Sequence, residues 1–112
     1  MLAFELSDLL PKFQREKHFY HEFLRAPSMS LGIYTLAVGA TDPQLPHTED
    51  EVYYVASGRG QIQVMGEDRP VQSGSIIFVK AGDDHRFHSI TEDLTLLVFF
   101  APAEGTTLTK GE

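Results

Sequence analysis

Polar and apolar residues alternate along most of this chain, and the period of the alternation changes once, near the start. Leu6, Leu9 and Leu10 give residues 4–10 one apolar side, Ser7 stands where a cap could form, and Pro11 blocks continuation, which predicts a short helix. From His18 onward the character is that of strands. Residues 18–25 mix aromatic and polar side chains until Pro27, and residues 31–38 run on until Gly39. Residues 40–46 contain two prolines and read as a loop. Residues 52–56 then turn at Gly58-Arg59-Gly60 into residues 61–65, where polar and apolar positions alternate strictly. Gly66-Glu67-Asp68 predicts the next hairpin, and residues 75–79 are apolar enough for a buried strand. Residues 85–90 and 94–100 give the last strands before Ala101-Pro102, and the polar tail to Glu112 is expected to be loose. Short strands punctuated by glycine and proline predict an all-β sandwich or barrel.

A chain of 112 residues with this apolar content makes one domain, residues 1–112, with its core at about 19–102. There is no cysteine, which removes disulfides, thiolate metal sites and cysteine nucleophiles. A net charge of −7, with no cluster of Lys or Arg, argues against nucleic acid as a partner. The N-terminus lacks the basic and apolar regions of a signal peptide, and no segment approaches the roughly 20 apolar residues of a membrane span. The expected compartment is the cytoplasm, with no membrane association.

Candidate chemistry concentrates in two places. In an extended segment beginning near His47, the residues His47, Glu49, Glu51, Tyr53 and Val55 share one face. A barrel interior lined by these carboxylates would be costly unless something offset their charge, and a divalent metal would do so. Thirty-four residues after Glu51 comes His85, which shares a face with Phe87 while His88 turns away. Imidazole and carboxylate suit borderline divalent metals. His18, His21 and His88 read as surface or packing residues, and Phe78, Phe87, Phe99 and Phe100 as core. There is no Ser/His/Asp nucleophile arrangement and no dinucleotide motif.

The spacing resembles the two signature motifs of the cupins. In the first, a His-x-His pair is followed by three or four residues, Glu, six residues and Gly; here His47 stands four before Glu51, and six residues separate Glu51 from Gly58. In the second, Gly and five residues lead to Pro-x-Gly, two residues, His, three residues and Asn. Here Gly74 leads to Lys80-Ala81-Gly82, two aspartates, His85 and, after three residues, Ser89. Three positions depart from the pattern: Leu45 replaces the first histidine, Lys80 the proline and Ser89 the asparagine. The resemblance implies a cupin double-stranded β-helix, a jelly-roll barrel, with the short helix at its N-terminus. It implies His47, Glu51 and His85 as metal ligands, with Glu49 a candidate fourth ligand that otherwise reads as part of a hydrated turn. Tyr53, Phe87 and Arg86 are the expected pocket residues. The expected cofactor is a divalent ion: iron, manganese, zinc or nickel. The expected partners are a small polar organic molecule and, through the aromatic strand at residues 18–24, a second copy in a homodimer. A metal-dependent dioxygenase, isomerase or lyase is the implied enzyme class. A non-catalytic sugar- or effector-binding barrel with a weakened metal site is the alternative.

Overall fold

The structure is a computed structural model and describes residues 1–12 and 16–106. The expected helix is a single turn, α1 (Leu6–Leu9), with Glu5 rather than Ser7 at the cap position, no side-chain cap, and no buried residue. A turn with neither cap nor packing has little to extend it, and Pro11 closes off the far side. No helix among the described residues is long and apolar enough to cross a membrane. The last six residues of the expected loose tail, 107–112, lie outside the described residues.

The rest is one antiparallel sheet of six strands. β1 (His18–Ala26) and β2 (Met29–Leu36) form a hairpin, and β2 pairs with the last strand, β6 (His85–Ala101). β6 pairs in turn with β3 (Asp50–Val64), and β3 carries β4 (Glu67–Gln72) along its second half and β5 (Ile76–Val79) along its first. The β3–β4 turn uses Met65 and Gly66, both at positive φ, the geometry of a tight two-residue hairpin. It falls one residue earlier than the composition of Gly66-Glu67-Asp68 implied.

Two expected breaks are absent. Gly58-Arg59-Gly60 is no hairpin: β3 runs straight through it, and β6 likewise runs through Thr91-Glu92-Asp93. Gly58 has φ +100, and a Cβ there would lie 2.2 Å from the carbonyl oxygen of Asp93. The glycine permits a bulge, and the β3–β6 register slips around it, between Val55 and Gln61. Such slips bend long strands and let a sheet close on itself. The bending of β6 is large. From His85 to Phe100 a straight strand would extend about 50 Å. Yet the rings of both residues pack against His47, with centroids 5.4 and 4.9 Å away.

Inside the roll lie Leu36, Tyr53, Val55, Ile62, Phe87, Leu94, Leu96 and Phe100, all essentially inaccessible to water. Burying each such side chain contributes about 1.5–3 kcal/mol. β5 departs from expectation, because it follows the strand period rather than being buried throughout. Val79 faces in, while Ile76 and Phe78 are 71% and 61% exposed on the outer face, so Phe78 is not core; Phe99 is half-buried.

Candidate metal centre

The alternation expected from His47 holds through the start of β3. Glu49, Glu51, Tyr53 and Val55 are buried, and Asp50 and Tyr54 are exposed. On β6, His85 and Phe87 are buried while Arg86 faces solvent, away from the cavity it was expected to shape. The curl of the sheet brings His47, Glu51 and His85 together, with one donor atom from each lying within 4.8 Å of the others. Glu51 Oε1 is 3.2 Å from His85 Nε2 and 4.0 Å from His47 Nε2.

The proton positions on the imidazoles follow from their outer partners. His85 Nδ1 lies 3.0 Å from the carbonyl oxygen of Asp83. A carbonyl only accepts, so Nδ1 holds the proton and Nε2 of the neutral ring presents a lone pair. His47 Nδ1 lies 3.5 Å from Glu104 Oε2, which favours the same tautomer. Two nitrogen lone pairs therefore converge on the Glu51 carboxylate. That carboxylate is 1% exposed, and neither of its oxygens has a hydrogen-bond partner among the described residues. The 3.2 Å contact with His85 is close but not aligned as a hydrogen bond. Acceptors facing acceptors in a dry interior are repulsive unless a proton or a cation lies between them.

The protonation behaviour of the site agrees with this. Burial alone would lower the His85 pKa, but the Glu51 carboxylate and the Asp83 carbonyl outweigh it and raise it above 6.5. Tyr53 is pushed up by burial and by Glu51, so its hydroxyl stays protonated and donates to Gln44 Oε1 at 2.7 Å. Burial also raises the Glu104 carboxyl, against the pull of His47.

Several residues of the site were not visible as such in the sequence. Gln44, from the proline-bracketed loop, places its carbonyl oxygen 3.2 Å from His47 Nε2 and 3.3 Å from His85 Nε2. Asp42, also buried, accepts from the Tyr34 hydroxyl, the Phe87 backbone N–H and the Gln44 amide. Glu104 belongs to a segment expected to be loose, yet its backbone N–H is bonded to Ser30 and its carbonyl to Arg25. No motif marks any of these three positions. Glu49 departs from the hydrated turn expected of it. It is 3% exposed, accepts from the Gly105 N–H at 2.9 Å and from the Thr48 hydroxyl, and does not join the His47–Glu51–His85 group. Leu45, at the position of the missing histidine, is 77% exposed and points away.

A cavity of about 260 Å³ opens over His47 and Glu51, lined also by His18, Tyr20, Tyr34, Gln44, Tyr53, Val98, Phe100 and Glu104, while His85 lies buried behind its wall. Phe87 supports it from below, edge-on to Tyr53 at 4.9 Å. A larger groove of about 670 Å³ runs past Arg59, Arg69 and Gln72 on β3 and β4. Among the described residues no histidine or carboxylate lines it, so the candidate chemistry lies at the smaller cavity.

The chain matches the family model described as a cupin domain over residues 32–100. It is 47% identical over 104 residues to the uncharacterized protein SCO3923 of Streptomyces coelicolor, covering 93% of this chain and 99% of that one. Among solved structures it resembles TT1209 from Thermus thermophilus, with a TM-score of 0.79 and 25% identity, covering 92% of this chain and 99% of that one. It also resembles an RmlC-like cupin from Shewanella frigidimarina, with a TM-score of 0.74 and 17% identity over 92% and 93% of the two chains. The rolled antiparallel sheet, the two motifs in register and the family match agree, and this chain belongs to the cupin family.

Proposed function

We propose that this protein holds a divalent metal ion in its barrel through His47, Glu51 and His85 and presents it to a small polar organic molecule. The observation that carries the reading is the Glu51 carboxylate, buried without a hydrogen bond and faced by two imidazole lone pairs. A cation supplies what that arrangement lacks, and the donor set suits iron, manganese, zinc or nickel. When bound, such an ion offers a Lewis acid or, if iron, an oxygen-activating centre, the chemistry of a dioxygenase, isomerase or lyase.

The residues around it bear on which ligand fits. The Asp83 carbonyl and Glu104 orient the imidazoles, a role that outer partners commonly play at metal sites. Tyr20, Tyr34, Tyr53 and Phe100 give the cavity aromatic walls. Among the described residues no Lys or Arg lines it, while Glu51 and Glu104 do. A neutral diol or enol therefore fits, and a carboxylate would depend on the ion for its countercharge. The cavity falls at the small end of ligand pockets, which favours a compact molecule.

The protein purified without chelator or nickel resin is expected to carry near-stoichiometric metal by mass spectrometry, and a His47→Ala/His85→Ala variant to carry none. Absence of metal in the wild type, even after reloading, would overturn the reading. It would favour a metal-free binding barrel, for which the outward-facing Leu45 is the supporting observation. A homodimer belongs to the same proposal, because β1 ends the sheet and no strand among the described residues pairs with its outer edge, which a second copy could take. A monomer mass in light scattering across a range of concentrations would remove that part.

A further inference from the structure

We infer that Gln44 supplies a fourth protein donor to the ion, through its side-chain carbonyl oxygen, in place of the histidine that the family motif puts at position 45. The inference rests on the metal reading above and goes beyond it. Its starting point is the phase of the loop. Counting back from β3, Glu51, Glu49 and His47 face inward at every second residue. Continued, that phase would turn position 45 inward. It does not continue: Leu45 is exposed, whereas Gln44 and Asp42 take the inward positions. The chain slips by one residue at Pro46, whose fixed φ and missing N–H make it a natural place for the slip. The motif's vacancy is thus filled from the neighbouring position.

The distances fit a shared ion. A cation bonded at about 2.1 Å holds adjacent donors roughly 3.0–3.4 Å apart. Gln44 Oε1 lies 3.2 Å from His47 Nε2 and 3.3 Å from His85 Nε2, and His85 Nε2 lies 3.2 Å from Glu51 Oε1; the His47 Nε2–Glu51 Oε1 pair, at 4.0 Å, is wider, as for donors on opposite sides of an ion. The orientation of the amide is also fixed. Its NH₂ group donates to Asp42 Oδ2 at 2.7 Å, and Asp42 is itself held by the Phe87 backbone N–H and the Tyr34 hydroxyl. A flipped amide would set carbonyl against carboxylate, so the oxygen must face the histidines. One lone pair of that oxygen takes the Tyr53 hydroxyl proton, the hydroxyl itself lying 3.1 Å from His85 Nε2, and the second is directed at the space between the two imidazole nitrogens, where the ion would sit. Asp42 and Tyr53 are then positioning residues for Gln44.

The test uses cobalt(II) alone as probe, read by chelator competition and by the visible absorption of the bound ion, which reports its coordination. Gln44→Ala is expected to weaken cobalt binding about 10- to 100-fold and to change the spectrum, with the metal-free melting curve serving as the check on folding. If that variant does not fold, Gln44→Met keeps the volume and removes the oxygen, and the same loss is expected. Leu45→His is expected to gain nothing, because position 45 points away from the ion. Unchanged affinity and spectrum in the Gln44 variants, or tighter binding in Leu45→His, would overturn the inference. Failure of the wild type to bind cobalt, or undiminished binding in the His47→Ala/His85→Ala variant, would instead overturn the metal reading beneath it.

Discussion

Stripped of metal, a Glu51→Gln protein is expected to melt at least about 3 °C above stripped wild type, an inversion of the usual cost of a buried substitution. The cause is the orphaned carboxylate: both oxygens of Glu51 are buried without a hydrogen bond, and a neutral amide of the same shape removes an uncompensated charge. The pH dependence has a definite sign. His85 has a folded pKa raised above 6.5, so the stabilisation from its pairing with Glu51 is fully present below 6.5 and is lost as pH rises through the higher folded value. Above that folded value the carboxylate faces a neutral ring, and the advantage of the variant is greatest there. Added metal should reverse the order. Wild type gains about 2.7 kcal/mol at a hundredfold excess over Kd, and the variant gains little. Scanning calorimetry of both proteins, with chelator and with metal, measures all of this. A stripped variant that melts below stripped wild type would mean that Glu51 is already satisfied without a cation.

The second large effect concerns the bend rather than the site. Gly58→Ala is expected to destabilise the fold by about 2–4 kcal/mol in urea unfolding, because the backbone there has φ +100 and the new methyl meets the Asp93 carbonyl. Gly74→Ala is the matched control. Its φ is +94, close to that of Gly58, but nothing lies within 4 Å of its Cβ position. It should lose only about 1–2 kcal/mol, the conformational part of the cost. Equal losses at the two positions would show that the bulge tolerates a methyl and that the approach to β6 is not what requires glycine.

The barrel and its three principal polar residues were legible in the sequence because two signals of different kinds agreed. The alternation from His47 to Val55 set an inward face, and the spacings of Glu51 to Gly58 and Gly74 to His85 matched a known pair of motifs. Strand continuity was not legible. A Gly-x-Gly step permits a hairpin or a bulge equally, and the choice at Gly58 is made by β6, a partner more than thirty residues away. The outward turn of Ile76 and Phe78 is hidden for a similar reason, since a short apolar run does not state which of its faces meets the core. Gln44 and Asp42 were invisible because their placement depends on a one-residue slip in a loop without periodicity. Glu104 was invisible because its order comes from Ser30 and Arg25, on strands far away in sequence.

The pairing of β3 with β6 has a kinetic consequence. In that ladder Glu51 stands opposite Phe100 and His85 opposite Val64, so the two residues that touch in the site belong to opposite ends of the longest ladder in the molecule. They meet only after the ribbon has rolled up. An ion held between them would act as a clasp fastened at the last step, with no part in nucleating the fold. Its concentration would then leave the refolding rate untouched and set how slowly the closed barrel comes apart.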